Sequence, residues 1–197
     1  MSDSLTKLAL VDFATIRPHL SLTADATKAV GPAASVPEAF AALEAAGFLL
    51  EAAKLLAHAL PKRQTVWWAC MCALHTAPPD QPETDRKMRE AAELWVRQQT
   101  EPARRAAMKL AEATPFDTPE AWSAVAAFWS GDSIAAEDQV KVPPPPHLTG
   151  VAVCGVIGLS AVRGDPSRQK ARLQRFLESG RNIAEGGPGR LTQEDAS

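Results

Sequence analysis

The chain has 197 residues, a net charge of −2 and a hydrophobic fraction of 46%, values that suit one globular domain with room for a second small one. This near-neutral charge gives no general electrostatic attraction to nucleic acid or to an anionic membrane. Alanine supplies 37 residues and tyrosine none, a balance that favours helices over strands, so we predict an all-α protein.

Residues 1–34 show little hydrophobic pattern and are predicted to form an N-terminal arm. Within this arm, the segment 8–16 is consistent with either a short strand or an extended stretch packed on the body. Regular helices begin at Ser35, which has capping-box spacing to Glu38, with Pro37 in the first helical turn.

Six helices are predicted between residues 35 and 131, where prolines mark helix starts and glycines mark helix ends. The second of these helices carries a polar stripe of Glu51, Lys54 and His58 at helical spacing, and its other positions are apolar. We expect this stripe to be exposed and to offer a candidate surface for a partner.

The third helix contains the segment Val66–His75, with the sequence VWWACMCALH. Cys70 and Cys72 lie about 200° apart around a helix, so they cannot hold one metal ion between them. Cys72 and His75 share a side, but a structural zinc site takes four ligands. A metal site and redox-active thiols are the alternatives, whereas a helix without charge on any side favours buried core. We therefore expect core packing, with no metal and no cofactor.

Residues 132–146 form a predicted linker that ends in four consecutive prolines, which hold a chain stiff and extended. Three roles are open for this linker: a spacer, a ligand for an aromatic groove, or a strap that ties the C-terminal helices to the first six helices. We favour the strap. A helix pair is predicted over residues 147–185, packed on the core, and its second helix ends at Gly180. Residues 186–197 are predicted to be a disordered tail.

The first helix of this pair, residues 148–162, has 15 residues and no charge, which is shorter than the roughly 18 residues of a membrane span. The second helix places Arg168, Arg172 and Arg175 along one face. Three interpretations of this basic face are open: a solvated helix surface, a binding site for a partner protein, and a binding site for nucleic acid. The net negative charge of the chain argues against nucleic acid.

No nucleophile-elbow or phosphate-loop motif occurs in the chain. A small enzyme would therefore need another constellation, and Asp132, Ser133 and His147 around the proline segment are the candidates. These three side chains would have to lie within hydrogen-bond reach of one another. Gly131 and Asp132 also suit a helix end followed by a turn, which is the structural interpretation of the same residues.

Cysteine usage points to a reducing compartment. Three cysteines, two of them one residue apart, do not match a secreted disulfide framework. The first ten residues carry an early Asp3 and lack the apolar stretch of a secretory signal. We expect a cytoplasmic protein with free thiols.

Several segments together resemble an uncharacterised bacterial family whose genes occur near type VI secretion genes. The resemblance covers roughly residues 38–186 and rests on VWWACMCALH, AAELWV, FWSGDSIA, VPPPPHLTGVAV and FLESGRNIAEG. Asp132 stands where that family more often has a second glycine. These are packing and turn motifs, so no catalytic residue carries over. The resemblance implies an accessory role around a contractile secretion machine.

Taken together, the sequence predicts an irregular bundle or short superhelical stack of about eight helices in antiparallel pairs. The expected function is a non-catalytic protein-binding accessory factor, namely an adaptor, effector chaperone or regulator linked to type VI secretion. An immunity protein that neutralises a toxin and a small enzyme are the alternatives. Neither the partner's identity nor the oligomeric state follows from the sequence.

Overall fold

The computed structural model of the protein describes Leu8 and residues 11–195, and all regular secondary structure in that part is helical. The all-α prediction is confirmed. The α-helices are α1 (Phe13–Ile16), α2 (Ala24–Val30), α3 (Val36–Ala45), α4 (Leu49–Ala59), α5 (Lys62–His75), α6 (Glu83–Gln98), α7 (Glu101–Ala111), α8 (Pro119–Trp129), α9 (Leu148–Val162) and α10 (Gln169–Ala184), with 3-10 turns at Arg17–His19 and Pro166–Arg168.

The N-terminal arm contains two helices, α1 and α2, that the sequence did not predict. Asp12 begins α1 by accepting the backbone N–H of Ala14, and Thr23 begins α2 by accepting that of Ala26. Such short helices contain too few turns to produce a visible hydrophobic period. Residues 1–7, 9 and 10, which include part of the predicted strand or extended stretch, lie outside the described residues.

Helix α5 lies in the interior, as expected, and packs against α6, α8, α9 and α10. Trp68, Cys70 and Cys72 are fully buried. The indole Nε1 of Trp68 donates a 2.9 Å hydrogen bond to the carbonyl oxygen of Phe176, which satisfies its polar atom away from water. The sulfur- and indole-rich segment is therefore core, with Trp67 and His75 left partly exposed at its edge.

Helix α9 packs against α4, α5, α8 and α10, and its contact with α4 is more extensive than the contact of α4 with its chain neighbour α5. In the described part of the chain, no single helix has the length and apolar character to cross a bilayer. Taken together, α9 and the segment Pro166–Ala184 have the length and composition of a membrane span, but a bend of 116° separates them.

Gly180 lies inside α10 and not at its end, which corrects the predicted boundary. A Cβ at this position would lie 2.8 Å from Cδ1 of Leu56 and 3.0 Å from the indole of Trp68. The glycine therefore permits the close approach of α10 to the core, and the helix continues for another turn to Ala184.

A buried ion pair joins the start of α8 to the end of α9. Both carboxylate oxygens of Glu120, which is fully buried, accept 2.8 Å hydrogen bonds from the guanidinium of Arg163. Gln81 donates a further hydrogen bond of 2.6 Å to Glu120. Because each charged atom has a partner, the pair fixes the relative position of the two helices.

Candidate functional site

The linker between α8 and α9 is folded into a closed loop at residues 133–142. The hydroxyl oxygen of Ser133 accepts hydrogen bonds from the backbone N–H groups of Ala135 and Val142, at 3.1 and 3.0 Å. The backbone N–H of Ile134 donates to the carbonyl oxygen of Val142 at 2.9 Å. These contacts tie the two ends of the loop together.

Arg104 of α7 anchors the start of this loop through a hydrogen bond. Its guanidinium lies 4.5 Å from the ring centroid of Phe128 and donates a 2.7 Å hydrogen bond to the carbonyl oxygen of Ser133. Glu101 accepts two hydrogen bonds of 2.6 Å from the same group. A Cβ on Gly131 would lie 2.3 Å from Cδ of Arg104. The glycine of the WSG segment therefore makes room for this arginine.

The tied loop displays apolar side chains to solvent. Val140 is 87% exposed, Val142 is 50% exposed and Ile134 is 38% exposed. A shallow groove beside the loop is lined by Met108, Phe128 and Ile134, and charged residues of α7 lie at its edge. Glu137, Asp138, Gln139 and Lys141 of the same segment are exposed as well, so the surface of the loop is mixed. We call residues 133–142 the docking loop.

The candidate catalytic set of Asp132, Ser133 and His147 is divided between two clefts. Asp132 and Ser133 line a cleft against α7, whereas His147 lines a separate one between the N-terminal arm and α4. The Ser133 hydroxyl is engaged by two backbone N–H groups, so its role in the structure is to close the docking loop. Ser133 thus serves to shape the loop.

The cleft that contains His147 has a volume of about 300 Å³ and brings together His19, His58 and His147. The rings of His19 and His147 stack at 4.0 Å between centroids, and His58 lies 6.1 Å from His19. Parallel rings do not direct their nitrogens at one point. Within the described part of the chain, no group of three or more His, Cys, Asp or Glu side chains is placed to hold a metal ion.

His58 is the most enclosed member of this histidine cleft. Burial lowers its pKa to about 4, and the neighbouring His19 and His147 add to the effect. Its Nε2 has no hydrogen-bond partner among the described residues. A Cβ on Gly150 of α9 would lie 2.3 Å from Nδ1 of His58, so the ring packs directly on the glycine backbone.

The predicted polar stripe of α4, Glu51, Lys54 and His58, is partly exposed along its length. Glu51 lies in a shallow cleft with Gln169 and Lys170 at the start of α10. His58 faces the histidine cleft at the other end of α4, and Lys54 lies between them, partly exposed. The stripe therefore contributes to two separate clefts.

Two of the three arginines of the predicted basic face, Arg168 and Arg172, contact the C-terminal segment. Arg172 is only 5% exposed and donates hydrogen bonds of 2.6 and 3.1 Å to the carboxylate of Glu194. Arg168 lies 3.2 Å from the same carboxylate, and Arg175 pairs with Glu178 on the exposed side. Although burial raises the pKa of Glu194, the hydrogen bonds and charges of the arginines hold it below its usual range. Arg168 and Arg172 thus already have a partner within the chain, whereas Arg175 remains exposed.

Two of the three thiols, those of Cys70 and Cys72, are fully buried, and that of Cys154 is partly buried. Burial raises the pKa of Cys70 and Cys72 well above the usual range, and raises that of Cys154 to about 12. The thiolate is the reactive form of cysteine. A redox or nucleophilic role at neutral pH therefore has no support from these side chains.

The residues of the docking loop, the histidine cleft and α10 all lie within or beside a stretch that matches a known family. A family model described as a family of unknown function, DUF6931, matches residues 39–184. The chain belongs to this family. No curated protein and no solved structure matches the chain.

The DUF6931 match begins within α3 and ends with the last residue of α10. It includes the docking loop, His58 and His147, and the arginines of α10. The N-terminal arm and the C-terminal segment 186–195 lie outside it. Each flanking segment nevertheless packs on the family-matched part, so each covers a surface that this part would otherwise expose.

Proposed function

We propose that this protein is a non-catalytic, cytoplasmic protein-binding factor that acts as an adaptor, effector chaperone or regulator of a bacterial type VI secretion system. The docking loop is the observation that carries the proposal. It presents Val140 to solvent while the Ser133 hydrogen bonds and Arg104 hold its ends in place. A pre-organised loop loses little entropy on binding, and its exposed valines offer apolar contact area, which favours a protein partner.

The charged surroundings of the loop add to this proposal. Arg105 donates a 2.9 Å hydrogen bond to the carbonyl oxygen of Ala135 and pairs with Glu137 at 3.4 Å. Polar groups at the rim orient a partner, while the apolar centre supplies most of the affinity. The link to type VI secretion rests on the resemblance of the WWAC, WSGD and VPPPP segments to a family found near those genes.

The test compares two single substitutions in the native host after deletion of the chromosomal gene. Val140→Asp places a charge at the centre of the docking loop, and Val151→Asp places one on α9, where the valine is 40% exposed. We expect the wild-type chain and the α9 variant to restore secretion by the type VI apparatus, and Val140→Asp to fail. The two variants should share the same urea unfolding midpoint, because each side chain is on the surface.

Full restoration of secretion by Val140→Asp would contradict the docking role, and normal secretion by the deletion strain would contradict the secretion link. The immunity alternative makes a different prediction for the same strains. It requires that loss of the protein kills cells that express a neighbouring toxin, and that the toxin forms a tight one-to-one complex with this chain.

A further inference from the structure

The C-terminal segment lies along a groove between α5 and α10 and is held largely through its backbone. Nε1 of Trp67 donates a 2.7 Å hydrogen bond to the carbonyl oxygen of Pro188. Ser179 donates to the carbonyl oxygen of Gly189 at 2.5 Å, and the N–H of Gly189 donates to Asn182 at 2.8 Å. Side chains of both helices therefore form hydrogen bonds with the main chain of this extended segment.

The same pattern continues toward the end of the segment. Nδ1 of His75 lies 2.5 Å from the carbonyl oxygen of Thr192, and the carbonyl oxygen of His75 accepts the N–H of Glu194 at 2.8 Å. The side chain of Gln193 donates to the carbonyl oxygen of Ala77 at 2.5 Å. The contacts of the segment's backbone accept many sequences, as in other sites that bind extended peptides, whereas the Gln193 contact depends on its side chain.

Two positions of the segment are chemically demanding. Gly189 has a φ of +58°, and a Cβ there would lie 2.2 Å from Cγ1 of Ile183, so no other residue fits without displacement. Glu194 places its carboxylate between Arg168 and Arg172, with His75 nearby. The most constrained positions of the bound segment are therefore a glycine and, five residues later, a carboxylate.

The groove and its occupant differ in their relation to the family. Trp67, His75, Arg172, Ser179 and Asn182 all lie within the matched stretch 39–184, whereas the segment 186–195 lies outside it. The binding groups therefore belong to the part of the chain that the family shares, and the occupant belongs to a flank.

We infer that the groove between α5 and α10 is a binding site for an extended acidic segment of a partner protein, and that residues 188–195 occupy it as an internal competitor. This inference rests on the proposed function and names the chemistry of its partner. The observations that carry it are the backbone hydrogen bonds, the glycine seat beside Ile183 and the two arginines that face one carboxylate.

The test uses the full chain with its own segment displaced. Glu194→Arg opposes Arg168 and Arg172, and Gly189→Ala displaces the segment without a change of charge. The probe is a fluorescein-labelled peptide with the sequence of residues 186–197, and its binding is measured by fluorescence anisotropy. We expect both variants to bind the peptide at least about tenfold more tightly than the wild-type chain, whose groove is occupied. Glu185→Arg, a charge reversal outside the groove, should behave as wild type.

Altered peptides test the two demanding positions. Peptides with Glu194→Gln or Gly189→Ala should bind the opened variants about tenfold or more weakly, because a charged hydrogen bond or the fit of the glycine is lost. A peptide that keeps only this glycine and glutamate spacing, with other side chains between them, should bind within about tenfold of the native peptide. Affinity should fall as salt is raised.

Three results would overturn the inference. One is that both variants keep the helical circular dichroism of the wild-type chain and bind no peptide. Another is that the opened variants bind the native peptide but not the peptide that keeps only the glycine and glutamate spacing. The groove would then serve only to hold this chain's own C-terminal segment. A concentration-dependent wild-type dimer in light scattering would assign the groove to a second copy. Because Val140→Asp should leave peptide binding unchanged, failure here remains distinct from failure of the docking loop.

Discussion

The two segments that flank the family-matched part of the chain are held in different ways. The N-terminal arm inserts apolar side chains into the core, where Leu8, Phe13 and Leu20 are buried. The C-terminal segment is held mainly by hydrogen bonds and by the pairing of Glu194 with two arginines, and its Leu191 is only partly buried.

This difference distinguishes a permanent attachment from an exchangeable one. Removal of the arm would expose apolar surface to water, at a cost of roughly 25 cal/mol for each Å². Polar groups of the C-terminal segment would regain hydrogen bonds to water on release, so the net cost per bond is about 1 kcal/mol. The arm therefore belongs to the fold, whereas a competing segment could replace the hydrogen bonds of the C-terminal segment one for one.

The largest expected effect is on the N-terminal arm. Leu20→Ala should lower the free energy of unfolding by about 3 kcal/mol, because it leaves a cavity at a buried site. Leu191→Ala, the matched change in the C-terminal segment, should cost less than about 1 kcal/mol. Urea denaturation followed by circular dichroism gives both values. Equal losses would remove the distinction between the two segments.

Acid should destabilise the protein in two pH ranges, one governed by His58 of α4 beside the N-terminal arm and one by Glu194 of the C-terminal segment. Because the pKa of His58 is lowered to about 4 in the folded chain, the unfolded chain binds more protons between pH 6.5 and 4. Stability therefore falls as the pH falls through this range, by at most about 3 kcal/mol, and partial exposure of the ring reduces that value. The lowered pKa of Glu194 gives a second loss below its ordinary range.

Thermal melts at intervals from pH 7.5 to 3.5 separate these two effects. His58→Gln should flatten the dependence between pH 6.5 and 4 and leave the more acidic loss. Glu194→Gln should remove part of the acidic loss and leave the first range unchanged. An unaltered profile in His58→Gln would show that the histidine cleft does not control the acid response.

Gly150 provides a steric test of the histidine cleft. Gly150→Ala should destabilise the protein by roughly 1–3 kcal/mol, because its Cβ would overlap the ring of His58. Gly158→Ala, on the same helix, meets no atom within 4 Å and should stabilise by up to about 1 kcal/mol. A double variant with His58→Ala should recover most of the loss. If both glycine variants are equally stable, the contact is not present in solution.

The smallest expected effect is on global stability after weakening of the C-terminal segment. Glu194→Gln should lower the free energy of unfolding by about 1 kcal/mol or less, while amide hydrogen exchange at residues 188–195 becomes faster. Exchange in α2 should not change. Glu185→Gln serves as the control, because this exposed residue precedes the groove contacts. Faster exchange throughout the chain would indicate general destabilisation.

The sequence predicted the helical class and the buried third helix because both depend on local composition. Trp68, Cys70 and Cys72 lie in a stretch without charge, and such a stretch has no face that water favours. The C-terminal end of α10 could not be predicted in the same way. A glycine such as Gly180 is typical of a helix end, and only its contact with Leu56 of α4 explains why it lies within the helix. Short capped helices such as α2 likewise leave no periodic pattern.

The site residues depended on contacts between distant parts of the chain, which a helix pattern does not encode. Arg172 has the spacing of a solvated face, yet Glu194 covers it from 22 positions away. The tail around Gly189 has the composition of a disordered segment, but its backbone finds partners on α5 and α10. His19, His58 and His147 are separated by long intervals and meet only after folding. Their clustering had no signal in the sequence.

The interior position of Cys70 and Cys72 makes the protein convenient for site-specific chemistry. Both thiols are fully buried, so maleimide reagents should leave them unmodified under native conditions, whereas Cys154 is only partly buried and needs replacement by serine. A cysteine introduced at position 140 of the Cys154→Ser chain would then be the single attachment point for a dye or a photoactivatable group. The chain can thus carry a reporter at the docking loop after one replacement in the core.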